Sequence, residues 1–319
     1  MGDPAGIGPE ITQKAWTALK DTPASFFVIG DPNLYGDIAE ILSRPEETDQ
    51  VFARRLPVLP LALAEAASPG KPATANAAAT ISAIEQAVAF TLSGHAGGVV
   101  TNPISKAVLK SSGFAHPGHT EFVAALTATV DQVGPRGPVM MLAGADLRVA
   151  LVTIHLPLRA AIDHLTTEAI FHTAQVTATA LQTDFGIENP RLAIAGLNPH
   201  AGEDGHLGRE EIEIVAPAVA ALRDMGLIAA GPLPPDVMFH AEARANYDAA
   251  ICLYHDQGLI PVKTLDFWGG VNVTLGLPIV RTSPDHGTGF DIAGSGSARP
   301  DSLINAIRMA HDMAARRAA

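Results

Sequence analysis

Cysteine is almost missing from this chain: Cys252 is the only one in 319 residues. A single thiol makes no intramolecular disulfide and no cysteine-based zinc site. Its place in the apolar run AAICLY marks it as packing rather than as a reactive group. No apolar stretch approaches the ~18 residues that a membrane-spanning helix needs. The opening residues also lack the basic-then-apolar pattern of an export signal, so a cytoplasmic protein without a membrane partner is expected. No block of Lys or Arg is present, and 21 basic residues against 33 acidic ones give a net charge of −12. That balance argues against sequence-independent binding to nucleic acid or to an anionic membrane surface. It leaves room for a small anionic ligand held by a few local cations. The strand-GxGxxG-helix fingerprint of Rossmann domains, the GxxxxGK(S/T) phosphate loop and the HExxH zinc motif are absent as well.

What is present describes a folded α/β protein. Hydrophobic residues make up 47% of the chain and charged residues 17%, ordinary for an enzyme and wrong for disorder. The length suffices for two packed domains or one large one. FFVIGD (26–31), GGVVTNP (97–103), RLAIAGLN (191–198) and AAICLY (249–254) read as short buried strands. Residues 74–93, 166–182, 208–226 and 300–318 carry helical periodicity. Thr166 and Glu168 suit a helix start. Glu210 and Glu211 lie at the positive end of the third helix, Gly226 ends it, and Pro217 predicts a break inside it. In VMMLAGADLRVALVTIH (139–155) two apolar runs flank AGAD, which predicts a hairpin and therefore a mixed sheet. GDPAGIGPEI, at the very start, reads as a strand-to-helix turn with Pro9 in the first helical turn, so a strand is expected ahead of it.

Three histidines share one context. VALVTIH ends on His155, LAIAGLNPH on His200 and AAICLYH on His255. Each follows an apolar run and precedes a turn, and the carboxyl ends of strands are where open α/β sheets bind ligands. Taken singly, each is an ordinary strand-end histidine; converging, the three suit a borderline divalent cation with open positions for a substrate oxygen. Asp256 reads either as the acceptor that orients a ligating imidazole or as a solvated turn residue.

Cations and glycines add two further candidates. Lys263, Asn272 and Arg281 stand in a stretch that is otherwise apolar and turn-forming, PVKTLDFWGGVNVTLGLPIVRTS. Each charge fits a residue snorkelling at an edge, and together the three fit the grip on a phosphate or carboxylate. PGHTEF places His119 and Thr120 at a helix start, where an anion is favoured; Thr120 serves equally as a cap, with Glu121 in the first turn. DHGTGFDIAGSGSARP (285–300) is either a plain loop or a nucleotide-binding one with His286, Thr288 and Asp291 as its polar groups.

In order along essentially the whole chain, GDPAGIGPE, TNPISKAVL, PGHTEF, TIHLPLR, GLNPHAGEDGHLGREE, YHDQGLIPVK and VNVTLGLPIVRTSPDHGTGFDIAGSG resemble the 4-hydroxythreonine-4-phosphate dehydrogenase (PdxA) family. The resemblance implies a two-domain α/β fold like that of the isocitrate and isopropylmalate dehydrogenases, with mixed sheets and the active site in the interdomain cleft. It implies a nucleotide-binding domain of residues 1–125 plus 277–319, and a metal, substrate and dimerisation domain of residues 126–276. On the matching positions, His155, His200 and His255 become ligands of one divalent metal (Zn, Co, Mg or Mn). His119, Thr120, Lys263, Asn272 and Arg281 become contacts to a small phosphorylated hydroxy amino acid. The loop with His286, Gly287, Thr288, Asp291 and Gly294 becomes the site of NAD or NADP. Lys263, His119 and Asp236, in that order, are the candidates for the general base. A homodimer with shared active sites is implied too. The expected activity is oxidation of 4-hydroxythreonine 4-phosphate at C3 followed by decarboxylation. A paralogous branch that oxidises D-threonate or D-erythronate 4-phosphate keeps the same histidines and cations, and a non-catalytic metal or phosphosugar-binding module is the alternative from another class.

Overall fold

The computed structural model describes residues 1–318. The chain forms two compact units, Met1–Val130 with Ile279–Ala315, and Asp131–Pro278 with the described residues from Arg316 on. In chain order the first unit holds α1 (Gly8–Leu19), β1 (Val28–Gly30), β2 (Ala39–Ile41), α2 (Thr48–Val51), β3 (Leu56–Pro60), α3 (Ala77–Leu92), β4 (Gly98–Val100), α4 (Lys106–Ser111) and α5 (His119–Leu126). The second unit follows with β5 (Val139–Gly144), β6 (Leu147–Leu151), α6 (Leu158–Asp163), α7 (Thr167–Thr183), β7 (Arg191–Ala195), α8 (Ala216–Asp224), β8 (Ile228–Leu233), α9 (Ala241–Arg244), β9 (Ala249–Cys252), α10 (His255–Leu265) and β10 (Val271–Leu275). The chain then completes the first unit with β11 (Val280–Pro284) and most of α11 (Asp301–Ala318).

In the first unit β1, β3 and β2 pair in parallel, and β11 pairs in parallel with β4. Ile11, Trp16, Leu19, Leu56, Val58, Leu303 and Ile307 form its core, and the Trp16 indole Nε1 donates to Phe52 O at 2.8 Å. Pro9 lies in the first turn of α1, as expected, behind an uncapped Ile7. The turn ahead of it packs on the glycine-rich segment: Ile7 N donates to Thr288 O at 2.8 Å, and a Cβ on Gly6 would come within 2.8 Å of that carbonyl. The strand expected before GDPAG would precede Met1 and lies outside the described residues.

The second unit is built on a mixed sheet in which β10 and β6 flank β5 in antiparallel pairs, while β6, β9, β7 and β8 run parallel in that order. The hairpin read at AGAD is there, with Gly144 opposite Leu147 and Ala145 in the left-handed region at φ 47°. Leu142, Leu147, Val149, Leu151, Ala193, Ala250, Cys252 and Val262 fill the core beneath. Thr166 caps α7 through its side chain, which accepts from Ala169 N at 3.1 Å. Asp184, 1% exposed, receives Nε and Nη2 of Arg317 at 2.6 and 2.9 Å. Pro217 marks a change of helix type: residues Glu211–Val215 form a π turn, and α8 begins at Ala216.

Two segments depart from the sequence-based expectation. The stretch taken as turn-forming, 261–283, contains β10 and β11, whose Val271, Val273 and Val280 are at most 1% exposed. HDQGLIPVKTL, expected to turn after His255, is helix α10, with Pro261 inside it. Gly258 and Pro261 look like breakers, and an interior proline costs about 3 kcal/mol in a lone helix. Tertiary packing overrides this: Val262 is fully buried, and a Cβ on Gly258 would meet Leu151 Cδ2 at 2.7 Å and both Val149 Cγ2 and Cys252 Cβ at 3.3 Å. The missing side chain lets α10 lie directly on β6 and β9. Gly258→Val should therefore destabilise the protein by about 1–3 kcal/mol through overpacking, read as a lower urea midpoint at unchanged slope; a midpoint equal to wild type would show that the helix does not lie this close.

Candidate metal and anion sites

Parallel pairing puts the carboxyl ends of β6, β9 and β7 next to one another, and these are the strands that lead to His155, His255 and His200. Between β6 and β9 the ladder continues past the strands: Val152 N donates to Cys252 O at 2.9 Å, and the Thr153 hydroxyl donates to Leu253 O at 2.8 Å. His155 and His255 emerge just beyond, with ring centroids 5.8 Å apart. Asp256 Oδ1 lies 2.7 Å from His255 Nδ1, the arrangement that fixes a tautomer and leaves Nε2 for a ligand. Two imidazoles on one ion, with metal–nitrogen bonds of about 2.0–2.1 Å, bring their ring centres to roughly 5 Å. The donor set and spacing of this pair therefore fit two positions on a divalent cation.

His200 is placed differently. It starts a turn in which His200, Ala201, Gly202, Glu203 and Asp204 all have positive φ, between 44° and 82°. For L residues this region costs roughly 1–2 kcal/mol each, so the turn depends on neighbours to hold it. Among the described residues, no group of three or more His, Cys, Asp or Glu side chains is arranged to hold a metal ion. The structure brings together two of the three imidazoles and leaves the third on an exposed turn at the adjacent strand end.

The anion candidates of the first unit gather around α5 and β11. Arg281, 2% exposed, donates from Nη2 to Thr101 Oγ1 at 2.7 Å. Burial pushes its pKa down to about 10, with the Glu121 carboxylate acting the other way; it remains a cation at neutral pH. His119 begins α5, and its buried Nε2 has no hydrogen-bond partner. Burial, and next the Arg281 guanidinium, hold this imidazole well below the usual histidine range, so it is neutral at pH 7. The cap of α5 is Gly118, not Thr120; Thr120 sits one residue inside the first turn. Gly118 leaves space that Lys106 covers, its Nζ lying 3.8 Å from where a Cβ would stand. A buried guanidinium, a lysine and a helix N-terminus form a locus that favours a phosphate or carboxylate.

Other candidates are spread over their units. Lys263 lies on α10 with Nζ 5.4 Å from the Phe267 ring centroid. Asn272 faces Leu142 across β10 and β5, and its Oδ1 is buried without a hydrogen-bond partner, which suits reception of a ligand donor. Asp236 is exposed in the short turn Pro235–Val237. In the glycine-rich loop His286, Gly287, Asp291 and Gly294 are exposed, and a Cβ on Gly287 would meet nothing within 4 Å. The Cys252 thiol is fully buried and pushed up to about 12 by that burial, as inert as the sequence suggests. Thr101 and Lys106 escaped the sequence-based search, although both stand in TNPISK beside the segments that it singled out. Glu211, expected to serve the helix dipole, instead turns back onto the backbone of Leu197 and Asn198.

Comparison with known proteins agrees along the whole chain. The family described as pyridoxal phosphate biosynthetic protein PdxA matches residues 22–310. A 4-hydroxythreonine-4-phosphate dehydrogenase of Caulobacter vibrioides is 59% identical over 99% of this chain and 96% of its own length. One of Maricaulis maris is 54% identical over 100% and 97%. The crystal structure of a 4-hydroxythreonine-4-phosphate dehydrogenase from Klebsiella pneumoniae superposes with a TM-score of 0.86 at 39% identity, covering 98% of this chain and 96% of that one.

The depressed pKa of His119 has a consequence for stability. In the unfolded chain its imidazole gains a proton as pH falls through about 6.5, whereas in the fold it does so only at lower pH. Between those two values the unfolded state binds more protons, so stability declines as pH falls. Thermal unfolding of the wild type from about pH 7 to pH 5 should show a steeper loss of Tm than His119→Gln. Parallel curves would mean that the imidazole is not held neutral by the fold.

Proposed function

The chain belongs to the PdxA family of pyridoxal phosphate biosynthetic proteins, and from that premise we propose that it is a dehydrogenase using NAD or NADP and a divalent metal. It oxidises 4-hydroxythreonine 4-phosphate at C3 and releases CO2, giving 3-amino-2-oxopropyl phosphate for pyridoxal 5′-phosphate synthesis. The observation that carries this beyond family membership is the His155–His255 pair at neighbouring strand ends, with Asp256 on the back of one ring.

His155 and His255 are the proposed metal ligands, with His200 as the third. A metal ion held by these imidazoles would supply Lewis-acid polarisation of the substrate oxygen, and a bound nicotinamide would supply the hydride acceptor. Asp256 holds the His255 ring in one orientation. Arg281, with His119 and Thr120 at the start of α5, holds an anionic end of the substrate. Asn272 accepts a hydrogen bond from it, and Lys263 supplies a further cation. Fixing the substrate at several points is what converts binding into rate. The base is one of Lys263, His119 and Asp236, in that order of preference. His119, kept neutral by burial, offers its buried Nε2 to a hydrogen bond from the substrate. The loop bearing His286, Gly287, Thr288, Asp291 and Gly294 receives the dinucleotide; its open space at Gly287 supports that assignment. A homodimer with shared active sites belongs to the same proposal.

The deciding experiment is turnover of 4-hydroxythreonine 4-phosphate with NAD or NADP, after chelation and again after metal addition. Reduced nucleotide and CO2 should form in equal amounts and only with metal. Turnover confined to D-threonate or D-erythronate 4-phosphate would replace the substrate, and metal binding without turnover of any of them would replace the enzyme with a binding module. His155→Ala should lose metal and activity together, by at least about a hundredfold in kcat/KM. Arg281→Ala should raise KM about 10- to 100-fold, the worth of a charged hydrogen bond, with kcat changed less; an unaltered KM would remove Arg281 from the substrate.

A further inference from the structure

One buried polar side chain ties together the loops that carry His255 and His200, a second holds the His200 loop from its other side, and no step of the proposed reaction uses either. Gln257 is 7% exposed. Its Oε1 accepts from Leu253 N at 2.7 Å, and its Nε2 donates to Gly196 O at 2.7 Å. One amide thus joins the backbone just before His255 to the backbone at the end of β7. Glu211 is 2% exposed. Its Oε1 accepts from Leu197 N and Asn198 N, both at 2.7 Å, and its Oε2 accepts from Asn198 Nδ2 at 3.0 Å. Backbone groups at 196, 197 and 198 are therefore held by side chains from outside the strand.

Glycines around the carboxylate keep the space it needs. A Cβ on Gly202 would lie 2.7 Å from Glu211 Oε2, and one on Gly208 would lie 2.3 Å from Asn198 Nδ2. His200 comes two residues after the held segment, at the start of the left-handed turn. Such a turn of L residues has no intrinsic stability, so its direction follows from how its ends are anchored. Glu211 and Gln257 are the buried anchors on the upstream side.

We propose that Glu211 and Gln257 are positioning residues for His200: Gln257 fixes residue 196 against the strand end that bears His255, and Glu211 fixes residues 197 and 198 against its own helical segment. This rests on His200 and His255 being metal ligands, as proposed above. Neither Glu211 nor Gln257 touches metal or substrate in this scheme; both act through the backbone.

Glu211→Gln, Glu211→Ala, Gln257→Leu and His200→Ala, each in the full chain, test it with three readouts: amide exchange across 196–206, Co2+ affinity, and kinetics. Exchange at Leu197 and Asn198 should quicken in the Glu211 and Gln257 variants, and Co2+ affinity should fall about 10- to 100-fold. kcat should fall more than KM rises. Glu211→Gln keeps an oxygen for the two amides and should lose less than Glu211→Ala; being nearly isosteric, it also serves if the alanine variant does not fold. Wild-type exchange in these variants overturns the proposal, and so does faster exchange with wild-type Co2+ affinity, which would mean a purely structural role. Loss of Co2+ affinity in His200→Ala but not in the other variants removes the positioning role alone. Undiminished affinity in His200→Ala removes His200 from the metal, and its positioning with it.

Discussion

Parallel pairing of β6, β9 and β7 is the constraint on which the chemistry of the second unit depends. Adjacent parallel strands must end at the same edge of their sheet, so three loops far apart in sequence leave from neighbouring points. The ladder between β6 and β9 runs on to Thr153 and Leu253, which carries the register to within two residues of each imidazole. From β7 the route is longer, and the left-handed turn takes His200 away from the other two rings. The same sheet thus brings two imidazoles together and leaves the third on a turn at the next strand end.

Charge is handled by burial in the first unit. Arg281 loses much of its hydration, which weakens its hold on the proton but leaves it cationic, while His119 next to it stays neutral. Buried cations are costly to desolvate, and the Glu121 carboxylate acts against that cost at Arg281. In a chain with net charge −12, a buried guanidinium beside a neutral imidazole is a local departure from the overall acidic balance.

Much of this was legible in the residues. Short apolar runs such as VALVTIH and LAIAGLN showed the strands, the AGAD turn showed the antiparallel hairpin, and the histidines advertised themselves by ending apolar runs. Other features escaped because they depend on partners distant in sequence. HDQGLIPVKTL breaks helix rules locally and is a helix because Gly258 fits against Leu151, Val149 and Cys252. Strands β10 and β11 were hidden among glycines and prolines that belong to the turns around them. Thr120 resembled a cap until Gly118 took that position. The left-handed turn at His200 and the Glu211 carboxylate that receives the amides just before it are signalled by no local propensity of Pro-His-Ala-Gly-Glu. Periodicity reports which face is buried; it does not report which buried carboxylate reaches back to which amide.

The sealed thiol of Cys252 has a practical consequence. Alkylating agents and peroxide act on thiolates, and a fully buried thiol with its pKa pushed up to about 12 offers them almost none. Inhibition by such reagents would therefore report damage elsewhere, at methionine or at the imidazoles. The native protein is thus a quiet background for labelling: a cysteine introduced on the surface would be the single site to take up a dye or spin label.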